Sequence, residues 1–242
     1  ADLRIVLTAM HGVGAAMTAR VLAEAGFAKV SLVAAQAEPD PDFPTVPFPN
    51  PEEAGALDMA IEQARAEDAD LIIAVDPDAD RCALAVPDPH AEAEWTPLSG
   101  DQIGCLLGEF LASRGIQGSL ANSIVSSRLL ARIAHAHGLV HHTTLTGFKW
   151  IADVIRKNEG KLNYIGGGEE SYGFLREDFI RDKSSVSACC MFAELAAWAA
   201  DRGMSIYQLL QQIFVEYGLY KEQGVSVVRK GKSGAEEIEA MM

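Results

Sequence analysis

Between apolar runs at residues 71–75 and 82–86 the chain reads "DPDADR": Asp76, Asp78 and Asp80, followed at once by Arg81. In an extended segment, residues i, i+2 and i+4 project to one side, so this spacing gathers three carboxylates. Two like charges about 4 Å apart repel by roughly 4 kcal/mol at an effective dielectric near 20, and a third adds to it. Either some carboxyls stay protonated or a cation sits among them. An all-oxygen, hard ligand set favours Mg2+ or Ca2+ over zinc. The bland alternative is a solvated turn with Arg81 pairing one aspartate. The strict spacing beside a buried strand favours the cation.

Two metal patterns test this reading. An EF-hand loop starting at Asp76 requires Gly at its sixth position and Glu at its twelfth; Arg81 and Pro87 stand there. A haloacid dehalogenase-like phosphatase also places Asp-x-Asp after a buried strand. It usually has Thr or Val two residues past the second Asp, where this chain has Asp80. That reading is weakened and stays open.

A second chemistry-bearing stretch is "GGGEESYGFL" at residues 166–175. Its glycines permit unusual φ and close backbone approach. If the strand before it continues, Glu169 and Ser171 face the same way, and a carboxylate with a hydroxyl suits hydrogen bonding to sugar hydroxyls. His11 follows a strand end, where a structural and a substrate-contact role fit equally. "GVGAAM" at residues 12–17 is an incomplete GxGxxG, with Met17 in the third glycine's place, and "GKS" at Gly231 lacks the first P-loop glycine because Ser226 occupies it. His135 with His137, and His141 with His142, read as surface residues rather than ligands.

The elements that position these groups alternate between strands and helices. Strands are predicted at residues 3–8, 30–34, 71–75, 82–86, 121–125, 139–143 and 162–165. Helices are predicted at 15–25, from Pro51 through about residue 68, and at 101–114, 127–137, 148–158, 185–201 and 205–215. Six prolines between Pro39 and Pro51 make that stretch a loop. The polar stretch "PDPHAEAEWTPLSG" is the domain boundary, and residues 166–183 are read as loop. The βαβ unit recurs in both halves, so the expected fold is α/β: two tandem three-layer αβα domains with mixed, mostly parallel sheets. Ligands of such domains sit at the carboxyl ends of strands, and a site between the domains would use both loops.

Composition narrows the class. The 242 residues carry 49% hydrophobic and 22% charged side chains, as soluble globular proteins do, and a formal net charge of −14. That charge argues against general attraction to a nucleic-acid backbone or an anionic membrane. Four cysteines without a CxxC pair argue against a zinc or disulfide framework and fit a reducing cytoplasm. The run at 185–200 is interrupted by Glu194 and is too short to span a bilayer, so it reads as a core helix. The chain opens inside a strand without Met or a signal-peptide pattern, which suggests a fragment.

"DPDADR" resembles the metal-binding loop of the α-D-phosphohexomutases, the phosphoglucomutases and phosphomannomutases. "GEESYG" resembles the sugar-binding loop of the phosphoglucomutase branch, the phosphomannomutase branch usually differing at Glu170. "TGFKW" at 146–150, "LSGDQIG" at 98–104, "TAMHGVG" at 8–14 and "RDK" at 181–183 resemble further family segments in the family's order, although Ala9 and Met10 replace the usual Pro and Leu. The resemblance implies that Asp76, Asp78 and Asp80 hold Mg2+. It implies that Glu169 and Ser171 contact sugar hydroxyls of a hexose phosphate such as glucose 1-phosphate or glucose 6-phosphate, and that Thr146 and Gly147 line the site. Arg81, Lys149 and Lys183 are then the basic groups near the reacting atoms, each lysine open as acid, base or plain charge.

The family's phosphoserine loop, Thr-Ala-Ser-His-Asn-Pro-like, does not occur among the 242 residues. The chain is therefore read as the second domain (residues 1–97), the third (98–228) and a linker (229–242) of a four-domain enzyme whose first and last domains are its missing partners. Alone it is expected to be inactive. The rivals are a non-catalytic sugar-phosphate-binding module and the phosphatase above.

Overall fold

A computed structural model describes residues 2–91, 94–176, 179–223 and 228–241. Residues 92–93 of the expected boundary stretch, 177–178 of the expected loop, and 224–227 lie outside it.

The first sheet has the order β2-β1-β3-β4-β5. Its strands are β1 (Arg4–Thr8), β2 (Lys29–Leu32), β3 (Leu71–Val75), β4 (Cys82–Pro87) and β5 (Trp95–Pro97). β1 pairs in parallel with β2 and β3, whereas β3–β4 and β4–β5 are antiparallel. β3, "LIIAV", is buried at every position, as a central strand covered on both faces must be. Helix α1 (Ala15–Glu24) packs on β1 and β2, and α2 (Asp58–Glu67) packs on β1 and β3.

The second sheet has the order β7-β6-β8-β9, built from β6 (Ser119–Ser123), β7 (Val140–Thr144), β8 (Tyr164–Gly168) and β9 (Phe174–Leu175). β6 is parallel to β7 and β8, and β9 returns antiparallel to β8. Strand alternation separates its two faces. Leu120 and Phe174 enter the large core together with α3 (Gly100–Ser113) and α4 (Leu129–Ala136), while Ala121 and Leu175 pack with Phe148, Ile151 and Ile155 of α5 (Phe148–Asn158). The three layers are therefore α3 and α4, sheet, α5. Ser99 caps α3 through a reciprocal bond set with Gln102.

Helix α6 (Ser185–Ala200) is apolar nearly all round, the pattern of a helix buried on several sides. It touches α1, β3 and β4 of the first unit and α3 and β9 of the second, so one core runs through both. Helix α7 (Ile206–Tyr217) closes the second unit against α3 and α4. Among the described residues, no helix is long and apolar enough to cross a membrane, and none of the four cysteines is in a disulfide.

Several expected elements move. The helix predicted from Pro51 begins only at Asp58, because residues 51–57 form turns around Gly55, whose φ is +82°. Asn50 caps nothing larger than its own turn, accepting from the Glu52 N–H. The polar boundary stretch contains β5, whose Trp95 is buried. The strand predicted at 162–165 runs instead through three glycines to Gly168, and the loop read at 166–183 contains β9. Residues 231–241, read as linker, form helix α8 (Gly231–Met241).

Candidate functional site

The acidic loop is the hairpin turn between β3 and β4. It is not extended: the Ala79 N–H donates to the Asp76 carbonyl, and Ala79 sits at φ +62°. The three carboxylates nevertheless converge, with one oxygen from each of Asp76, Asp78 and Asp80 all within 4.8 Å of one another. The turn, rather than strand alternation, brings them together.

Asp76 is fully buried and organises the turn. Its Oδ1 accepts from the backbone N–H groups of Asp80 and Arg81, and its Oδ2 accepts from Arg81 Nε at 2.7 Å. Burial raises its carboxyl above the usual range, Asp78 adds to this, and the Arg81 bonds pull it back. Arg81 Nε also lies 3.6 Å from Asp80 Oδ1, and Lys183 Nζ lies 2.5 Å from Asp80 Oδ2. Burial opposes charge on Lys183, but Asp80 together with Asp182 and Glu169 more than offsets it and the net direction is up. An oxygen-only set at the end of a buried strand fits a hard divalent cation, Mg2+ or Ca2+.

Three contacts join this turn to the loop between β8 and β9 and to the start of α6. Arg81 and Gly173 form an antiparallel bridge, the Cys82 N–H donates to the Tyr172 carbonyl, and the fully buried Ser185 places both its N–H and its hydroxyl on the Ala79 carbonyl. Tyr172, at φ +67°, reverses the chain after Ser171 and sends its hydroxyl to the Leu98 carbonyl. Strand β8 therefore ends before Glu169, and the strand argument for Glu169 and Ser171 facing one way does not apply. Glu169 is buried and its Oε1 accepts from the Gly147 N–H at 2.7 Å, which ties the sugar-type loop to the Thr146–Gly147 corner. Gly147 has φ +103°, a conformation glycine reaches without strain. Ser171 is half-buried.

The predicted residues therefore fall into groups. Asp76, Asp78, Asp80, Arg81 and Lys183 form one cluster, Glu169, Gly147 and Thr146 a second, and the Arg81–Gly173 bridge links the two loops. Lys149 is exposed, its ammonium 5.4 Å from the Trp150 ring centre. His11 is 4% exposed, and its Nε2 bonds Thr45 Oγ1 rather than reaching the cluster. Its neighbours hold the acidic turn from below: the Val13 N–H donates to the Pro77 carbonyl, and a Cβ on Gly12 would lie 2.3 Å from Pro77 Cα.

Sequence reasoning missed two carboxylates. Glu52 ends the proline-rich loop and is near enough to Arg81 and Glu170 for their charges to act on it; burial raises its carboxyl. Glu170 Oε2 accepts from the hydroxyls of Ser123 and Ser126, which locks the loop onto the end of β6. The signal for Glu170 was its place in "GEES". Glu52 carried none, since it was read as helix body.

Comparison with known proteins places both units. Residues 1–89 match the family model "Phosphoglucomutase/phosphomannomutase, alpha/beta/alpha domain II", and residues 99–217 match the domain III model. A protein of Haemophilus influenzae named probable phosphomannomutase is 43% identical over 93% of this chain and 45% of its own length. A phosphoglucomutase of Staphylococcus haemolyticus is 36% identical over the whole chain and 44% of its own length. The fold also matches the crystal structure of a phosphoglucomutase/phosphomannomutase family protein from Burkholderia thailandensis, with a TM-score of 0.70 at 22% identity, over 87% of this chain and 42% of that one. The chain thus spans a little under half the length of these relatives.

Proposed function

Because this chain belongs to the phosphoglucomutase/phosphomannomutase family, we propose that it supplies the cation-holding turn and the sugar-facing loop of a hexose-phosphate mutase. The observation that carries this is the joining of the two loops, by the Arg81–Gly173 bridge and by Lys183, which lies between Asp80 and Gly173. Asp76, Asp78 and Asp80 hold Mg2+, which when bound neutralises charge on a transferring phosphoryl group. Glu169 and Ser171 take the sugar hydroxyls, with Thr146 and Gly147 shaping the wall. Lys183, paired with Asp80, is held as an ammonium and so serves as donor and positive charge beside the phosphate. Arg81 fixes Asp76 and the cluster's geometry, and Lys149 lies outward of it.

In this reading a serine outside the 242 residues passes its phosphoryl group to a hexose phosphate, giving a bisphosphate that turns over and returns the other phosphate. The relatives' names include both sugars, and the substrate is a glucose or mannose phosphate. Positioning and electrostatics supply most of the rate. Calorimetry of glucose 1-phosphate and of mannose 1-phosphate binding to the 242-residue chain in Mg2+ tests the proposal. Saturable binding without turnover is expected. No binding would refute the sugar site, and turnover of about one per second or more would refute the external serine.

A further inference from the structure

A cavity of about 550 Å3 opens between α4, the carboxyl ends of β6 and β7, and Tyr220. It is separate from the acidic turn and contains none of the residues assigned above. Arg128, at the N-cap of α4, and Arg132 and His135 within it stand at i, i+4 and i+7, the spacing of one helix face, and His141 faces them from β7. Among the described residues, no Asp or Glu lines the cavity, in a chain with 34 acidic and 20 basic side chains. Neither arginine has a carboxylate partner among the described residues. His141 Nε2 is held 2.9 Å from Asn122 Oδ1. The oxygen can only accept, so that nitrogen carries the hydrogen and Nδ1 is left over.

Unpaired guanidinium groups one helical turn apart match the charge and fork geometry of phosphate oxygens. The volume lies within the range of small-molecule sites and exceeds what one inorganic anion fills. We propose that this cavity is a second anion site, taking a small phosphorylated metabolite or diphosphate on Arg128 and Arg132. Ser123 and Ser126, which floor the cavity, also hold Glu170, so the ligand sits one residue removed from the loop that carries Glu169.

The test is calorimetric titration of the metal-free 242-residue chain with inorganic pyrophosphate, for the parent, for Arg128→Ala/Arg132→Ala and for Lys161→Ala, an exposed lysine outside both sites. Both arginines are exposed, and an unchanged thermal melt verifies that the double variant folds. Saturable binding near or below about 1 mM is expected, weakened about tenfold or more in the arginine variant and unchanged in Lys161→Ala. Absence of saturation, equal affinity in the arginine variant, or an equal loss in Lys161→Ala overturns the proposal.

Discussion

Lys183 Nζ lies 2.5 Å from Asp80 Oδ2, while its aliphatic chain crosses the face of Gly173 so closely that a Cβ there would sit 2.4 Å from Lys183 Cδ. The same lysine thus touches the acidic turn and the loop that follows Glu169. It also competes with any cation for Asp80. Lys183→Ala should therefore act in opposite directions: Mg2+ binds more tightly, by roughly threefold to tenfold, while hexose-phosphate binding weakens. Two titrations check this, and a parallel loss of both affinities would contradict the placement.

Gly12→Ala tests the support beneath the turn. The added Cβ would meet the backbone of Pro77 at 2.3–2.7 Å, and backbone cannot swing aside as a flexible side chain can. Overpacking of this kind costs about 1–3 kcal/mol. Denaturant unfolding should show that loss, and Mg2+ affinity should fall although no ligand has changed. Unaltered Mg2+ affinity would mean that the turn is positioned without this contact.

Glu169 is expected to separate structure from recognition. Glu169→Gln keeps an acceptor for the Gly147 N–H, whereas Glu169→Ala leaves that donor unmatched, at about 1–2 kcal/mol. Stability should fall for Ala and hold for Gln, and sugar-phosphate binding should fall in both. Mg2+ affinity should stay constant in both.

Asp101 gives a pH dependence. Burial, together with the negative charges of Glu222 and Glu170, pushes its carboxyl up to about 6, against the bond it accepts from the Ser127 N–H. The folded state holds this proton more tightly than the unfolded chain. The contribution to stability is therefore complete below roughly pH 4 and is lost as pH rises through about 6. Asp101→Asn removes the dependence, so its stability relative to the parent should climb by about 1 kcal/mol or more between pH 4.5 and 7.5. Urea unfolding at several pH values measures this. A flat difference would show that Asp101 is solvated in the folded chain.

Much of the scaffold was legible because its signals are local. "LIIAV" is apolar throughout and became the buried strand β3, and "SGDQ" carries its own cap for α3. Strand β8 was cut short because glycine disfavours strands, yet here the glycines are required by neighbours. A Cβ at Gly166 would strike Leu111, and one at Gly167 would strike the Ala121 carbonyl. Only the assembled sheet reveals that crowding. The acidic cluster was found through spacing, but its convergence arises from the left-handed Ala79 within a turn. Glu52 stayed hidden because its setting depends on Arg81 and Glu170, far from it in sequence, and the arginine-lined cavity because it needs α4, β6 and β7 folded and Tyr220 brought against them.

On the proposed reading, the turn between β3 and β4 holds a divalent cation facing the sugar-type loop. Asp78 is the cleanest probe, since its side chain is exposed and Asp76, not Asp78, carries the Arg81 bonds. Mg2+ titration of the parent chain and of Asp78→Asn decides the matter. Saturable one-to-one binding that weakens about tenfold or more in Asp78→Asn, with the fold intact, is expected. Equal affinity in the two proteins would contradict it.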